Sequence, residues 1–360
     1  MKSNGSALAQ SGAAPRLTED QGVNSREIVL RTLEHSGPSR VAASFPAPYW
    51  NDFTHTHYAL TSAGRGWRRT GRGPQEWVDE WGNTWGRIDG SSKGEVIRGV
   101  LEDWDDLSCL RLPDLANPAN YAQVRRVCND PRDDRFRVGG LPGFPFNIAR
   151  KMRRLQSFLM DILLWPNRVQ ALLSRIEDLL ADAIVEYARA GVDAVMFPED
   201  WGTQKGLMIR PQSWRDVFKP GFVRLCGVAR DQGIKVFMHS CGKMTDIIPD
   251  LIEAGIDLLQ FDQPRLHGID VLAQFHGRIA FWCPVDIQDT LQTHDEKAIE
   301  QDARDMIEKL GGPDGGFVAG YYADNVSIGL EPRWQDVACR AFLRYGDYRS
   351  SPGAGKLRGQ

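Results

Sequence analysis

The 360-residue chain has no excess of positive charge. Its 44 Lys and Arg stand against 47 Asp and Glu, giving a net charge of −3 and a pI near 6.2. Proteins that live on nucleic acid usually carry a basic face and a basic total, so no nucleic-acid partner is expected. No apolar run reaches the ~18 residues needed to span a bilayer, so no membrane partner is expected either. The first twenty residues, MKSNGSALAQSGAAPRLTED, lack the apolar stretch of a secretory signal, which makes the cytoplasm the expected compartment. There the six cysteines (Cys109, Cys128, Cys226, Cys241, Cys283 and Cys339) are expected to stay reduced, and no Cys-x-x-Cys pairs any of them. The chain also contains neither G-x-G-x-x-G nor G-x-x-x-x-G-K-[ST], so the common glycine-rich phosphate cradles are missing.

Tryptophan, by contrast, is plentiful, at eleven residues. Two readings are open: aromatic corners of a large core, or a pocket that stacks a flat ligand. Residues 1–20 and 346–360 are rich in Ser, Gly, Ala and Pro or otherwise have little to bury, and read as flexible tails around one domain over 21–345.

Within that domain, short apolar runs alternate with amphipathic stretches. The runs Asp193–Pro198, Ile234–His239, Asp257–Phe261, Arg278–Cys283 and Gly316–Tyr321 each end in Gly, Pro or polar residues, as buried parallel strands do. Arg40–Phe45 and Arg135–Gly140 add two more upstream. Between Asn167 and Ala190 the apolar residues repeat at close to 3.6, with Asn167 placed to cap the helix and Gly191 to end it. Asp246–Ala254 and Glu296–Leu310 read as further helices. Strand–helix–strand order repeated this way implies a parallel sheet with right-handed crossovers. Seven strands, one doubtful place and no dinucleotide loop favour a closed (β/α)8 barrel over an open sheet. The segment Gly64–Val100, with Trp67, Trp77, Trp81, Trp85 and arginines 68, 69 and 72, breaks the alternation and reads as an excursion over one end of the barrel.

In a barrel the active site lies at the carboxyl ends of the strands, so position filters residue type. Glu199 and Asp200 follow one strand and are candidates for general acid/base catalysis, metal ligation or helix capping. His239 and Cys241 end another. Two residues apart on an extended chain, they leave the same face, and imidazole beside thiolate suits a borderline-soft ion such as Zn2+. The bland alternative is a core histidine beside an inert thiol. Cys283 ends a neighbouring strand and is either a further ligand or a packing residue. Lys151-Met152-Arg153-Arg154 reads as a solvated helix face.

The stretches FPEDWGTQKGLMIRPQSWRDVFKPGF (Phe197–Phe222), GIKVFMHSCGKMTDIIPDLIEAGIDLLQFDQP (Gly233–Pro264) and FWCPVDIQDTL (Phe281–Leu291) resemble the uroporphyrinogen decarboxylase-like superfamily. The likeness runs from about Gly139 to Phe342, and its His-Ser-Cys-Gly element is the most specific part. It implies a (β/α)8 barrel and one of two chemistries. One branch decarboxylates the acetate side chains of uroporphyrinogen and carries an Arg-Gln-Ala-Gly-Arg element near its N-terminus. The corresponding region here, SFPAPYWNDF (Ser44–Phe53), has no arginine. The other branch comprises zinc-dependent methyltransferases that exchange a methyl group with a corrinoid and use a His-x-Cys pair as zinc ligands, which His239 and Cys241 match.

The expectation is therefore a zinc-dependent methyltransferase that moves a methyl group between a small methoxy, methylamine or thiol compound and a corrinoid on a partner protein. Uroporphyrinogen-type decarboxylation and a non-catalytic barrel that binds a corrinoid or tetrapyrrole are the alternatives. In the thiol-methylating relatives the third ligand is a second cysteine at the end of the last strand, where this chain reads Ala319-Gly320-Tyr321-Tyr322. A catalytic zinc keeps three protein ligands, so a substitute is needed. Cys283 is expected first, Glu199 or Asp200 second and Tyr321 third.

Overall fold

In a computed structural model, which describes residues 23–60, 66–69, 75–90 and 93–350, all seven expected strands form. They are β1 (Ala42–Ala43), β3 (Phe136–Gly140), β4 (Ala194–Pro198), β5 (Lys235–His239), β6 (Leu258–Gln260), β7 (Ala280–Cys283) and β8 (Phe317–Ala319). The eighth, β2 (Phe53–His57), supplies the doubtful place. All pair in parallel in the order β1-β8-β7-β6-β5-β4-β3-β2. Asp52, just before β2, joins the two end strands through its N–H, which donates to Ala43 O of β1 at 2.8 Å, while its carbonyl accepts from Phe136 N–H of β3 at 2.9 Å. Its buried carboxylate takes a bidentate pair from Arg40 at 2.7 and 2.8 Å and the Ala43 N–H at 2.9 Å. The result is a (β/α)8 barrel.

One apolar cluster fills the barrel and takes a residue from each of the eight strands, Ala42, Phe53, Val138, Ala194, Phe237, Leu258, Trp282 and Val318 among them. Ile28, Val29 and Leu33 of helix α1 (Ser25–Leu33) close it from below. The alternate strand residues, such as Val236, Met238, Phe281 and Cys283, pack outward against the helices in the larger core. Among the described residues no helix is long and apolar enough to cross a membrane.

The expected helices are at Pro166–Arg189, Ile248–Ala254 and Glu296–Leu310. Asn167 does not cap the first, because Pro166 occupies the first helical position and Trp165 the cap, with no side-chain bond. The excursion is a four-stranded antiparallel sheet (Arg68–Arg69, Gln75–Val78, Thr84–Arg87, Glu95–Arg98) lying beside the mouth, where Glu80 shares a cavity with His57, Tyr58 and Gly140. Arg72 and residues 1–20 lie outside the described residues. At the other end, Tyr348 is buried and Val41 N–H donates to Gly346 O, so packed chain continues past 345.

The Lys151–Arg154 run is not a solvated face. Met152 is fully buried, and Arg153 pairs with buried Asp161 at 2.9 Å while lying over the Trp104 ring. Five of the eleven tryptophans, Trp81, Trp104, Trp201, Trp214 and Trp282, are buried, Trp50 and Trp334 pack partly buried against the core, and Trp201 stacks on Phe146 with ring centroids 4.2 Å apart.

Candidate metal centre at the barrel mouth

β5 turns Phe237 into the barrel, so His239, two residues on, points the same way at the mouth. Cys241 follows just beyond the strand, with its Sγ 3.3 Å from His239 Nε2. From the end of β4, Asp200 comes alongside. Its Oδ1 accepts the Cys241 N–H at 2.8 Å and stands 3.9 Å from His239 Nε2, while Oδ2 faces Arg150 at 3.3 Å. One sulfur, one nitrogen and one carboxylate oxygen thus lie within 4.8 Å of one another.

Two glycines allow this approach. A Cβ on Gly202 would sit 2.4 Å from the Gly242 carbonyl carbon, and one on Gly242 would sit 2.2 Å from Gly202 O. Gly242 also has φ +74°, which favours a residue without Cβ. Between them the loops after β4 and β5 bridge at Thr203 and Lys243, which fixes Asp200 against Cys241.

The register pairs His239 with Gln260 and Gln260 with Trp282. His239 Nδ1 makes a short hydrogen bond to Gln260 Oε1, and Gln260 Nε2 donates to Asp262 Oδ1 at 2.8 Å. Burial, reinforced by the carboxylates of Asp200 and Asp262, pushes the Cys241 thiol up to about 12, although its cavity side meets solvent. The ion-free thiol therefore keeps its proton, and a bound cation would displace it. Thiolate, imidazole and carboxylate together fit a borderline ion of the zinc type.

Two of the expected site residues are elsewhere. Cys283 is fully buried and shares the outward parity of Phe281, while Trp282 takes the inward position. It is not among the residues that converge at the mouth. Glu199 is also fully buried, turned onto the start of the helix Pro145–Met152. Its oxygens accept N–H bonds from Phe144, Phe146 and Asn147 at 2.9–3.0 Å. Burial pushes its carboxyl up to about 8 against the pull of those amides. Both oxygens are thus committed to the start of that helix, and Glu199 is not part of the Asp200–His239–Cys241 cluster. Tyr321 instead accepts from Asn325 at 3.0 Å. Sequence reasoning missed Gln260 as a partner of His239, since only the strand register places them side by side.

Beside Cys241 lies a cavity of about 370 Å3, walled by Phe261, Ile287, Ile328 and Tyr322 with polar groups from Thr203, Gln204, Gln263 and Gln288. Its ionisable lining side chains are Cys241, Asp262, His267 and Tyr322. The model of the uroporphyrinogen decarboxylase (URO-D) family matches residues 89–325. The chain belongs to the uroporphyrinogen decarboxylase family. A methyltransferase from Methanosarcina mazei is similar in structure, with a TM-score of 0.66 and 13% identity over 89% of this chain and 99% of that one. A B12-independent methionine synthase from Shewanella sp. W3-18-1 aligns with a TM-score of 0.42 and 13% identity over 82% and 81%. At 13% identity the first likeness speaks to the fold. Curated proteins give no match.

Proposed function

We propose that this member of the family is a zinc-dependent methyltransferase that transfers a methyl group between a small substrate and a corrinoid held by a partner protein. The observation that carries the reading is the convergence of Asp200, His239 and Cys241, which would be the zinc ligands. Bound zinc supplies Lewis acidity, keeping a substrate thiol ionised or polarising the leaving atom of a methoxy or methylamine compound.

The chain's own residues do the rest. Asp262 orients the Gln260 amide, and Gln260 accepts the His239 Nδ1 proton, leaving Nε2 able to bind a cation. Phe261, Ile287 and Ile328 limit water around the small substrate, while the glutamines and Thr203 orient its polar groups. A cavity of about 370 Å3 is too small for a corrinoid, so the corrinoid would remain on its carrier and meet the substrate at the open mouth. Decarboxylation of a tetrapyrrole polycarboxylate fits poorly, because among the described residues no arginine or lysine lines this cavity and Asp262 would repel carboxylates. Arg40, the nearest arginine before Ser44–Phe53, is committed to Asp52.

The test uses the purified full chain with methylcobalamin and thiol acceptors, and with cob(I)alamin and methoxy or methylamine donors. Chelator-sensitive methyl transfer in one of these pairings is expected, with no conversion of uroporphyrinogen. Chelator-insensitive turnover of uroporphyrinogen would overturn the proposal.

A further inference from the structure

At the opposite end of the barrel, three loops feed the neighbouring strands β7, β8 and β1. Each contributes a side chain to one cluster: His276 before β7, Asp314 before β8 and His35 before β1. Their ligand atoms lie within 4.8 Å of one another. His276 Nε2 is 2.9 Å from Asp314 Oδ2, and the His35 and His276 rings meet edge to face with centroids 5.4 Å apart. This floor cluster is separate from the mouth, which lies at the other ends of the same strands.

One feature points to a ligand, and a second is compatible with it. First, both ring nitrogens of His35 are shut off from solvent with no hydrogen-bond partner. An unsatisfied buried polar atom is costly, and an imidazole nitrogen in that condition is served by a cation or an ordered acceptor. Second, His276 Nδ1 is 3.2 Å from the Leu310 carbonyl, which can only accept a proton. That bond places an N–H on Nδ1, so Nε2, the nitrogen facing Asp314, is the one that a second proton or a metal ion would share with the carboxylate. The 2.9 Å approach to Asp314 needs a positive charge, which either a second proton on His276 or a bound cation supplies. Ligating histidines are commonly held this way, by a backbone carbonyl on the far nitrogen.

We propose that His35, His276 and Asp314 form a second divalent-metal site, of the zinc type, that ties helix α1 to the floor of the barrel. Two imidazoles and a carboxylate suit zinc or a close first-row analogue, with solvent in the fourth position. Ligand distances of about 2.0–2.2 Å place the donor atoms roughly 3.3 Å apart in a tetrahedron, so modest side-chain movement completes it. Room for the His35 ring depends on Gly316, where a Cβ would come within 2.7 Å of His35 Cε1. Gly316 N–H also donates to Thr32 O at 2.8 Å, so the loop is already fastened to α1.

The test is Co2+ binding by equilibrium dialysis to the full chain carrying Cys241→Ala, which disables the mouth centre and separates this inference from the proposed function. One Co2+ per chain is expected, with an absorption spectrum free of sulfur-to-cobalt charge transfer. Adding His276→Ala should abolish it. So should His35→Asn, which removes the imidazole but tolerates the left-handed backbone at φ +50°. Zn2+ should also raise the melting temperature of the Cys241→Ala chain by a few degrees and leave both double variants unmoved. Circular dichroism identifies a misfolded double variant, in which case the other one decides. Absence of Co2+ from the Cys241→Ala chain, or its retention by a folded double variant, overturns the proposal.

Discussion

Because Asp262 can only accept, Gln260 must turn its amide nitrogen toward that carboxylate and its oxygen toward His239. His239 then donates from Nδ1 and keeps the lone pair on Nε2, beside Cys241 and Asp200. Gln260→Leu removes the acceptor while keeping an apolar stem of similar length. Zinc affinity is expected to fall by about 10–100-fold, as for other partners of ligating histidines. Competitive zinc titration reads the loss, and an unchanged affinity would show that the glutamine does not set the tautomer. The His239–Cys241 pairing was legible in sequence because residues two apart on an extended chain leave the same face. The place of Cys283 was not legible: all four residues of β7 are buried, so composition does not distinguish the face toward the barrel from the face toward the helices. Only the register does that, by setting Trp282 beside Gln260 and leaving Cys283 on the outer side. Glu199 and Asp200 could not be told apart by residue type either. One faces a helix terminus and the other faces Cys241.

At the scale of elements, the centre depends on the loops after β4 and β5 touching through glycine. Gly242→Ala must bring a methyl group to 2.2 Å from Gly202 O and hold φ +74° with a side chain present. The left-handed backbone alone costs about 1–2 kcal/mol, and relief of the clash moves Asp200 away from Cys241. Reduced stability together with much weakened zinc binding is expected, from denaturant unfolding and zinc titration on one preparation. Loss of stability with wild-type zinc affinity would mean that the loop contact does not position the ligands. Element assignment succeeded where strands were continuous apolar runs bounded by turn residues. It missed β2, FTHTH, because threonine and histidine occupy positions that the apolar-run criterion ignores. The Lys151–Arg154 run looked solvated because its partners Asp161 and Trp104 are supplied by other segments. Local charge pattern carries no trace of them.

For the molecule as a whole, barrel closure at Asp52, the floor plug of α1 and the mouth loops make one scaffold with the candidate metal centre at its upper end. Its stability should depend on pH through His267, buried on the cavity wall and stacked on Phe261 at 4.2 Å. Burial lowers its pKa from 6.5 to about 4. Between those values the unfolded chain binds a proton that the folded chain refuses. The contribution is therefore complete above pH 6.5 and is lost as pH falls toward about 4. In urea unfolding across that window, His267→Phe should lose less stability than the wild type; parallel losses would assign the acid sensitivity elsewhere.

The central claim is the identity of the ligands at the mouth, and zinc-edge X-ray absorption of the metal-loaded protein tests it most directly. To remove any zinc on the barrel floor from the spectrum, the measurement is made on a chain carrying His276→Ala. One sulfur with nitrogen and oxygen neighbours is predicted, a shell unchanged by Cys283→Ser and stripped of its sulfur by Cys241→Ser. A first shell without sulfur before either cysteine is replaced, or one that loses sulfur on Cys283→Ser, would contradict the account.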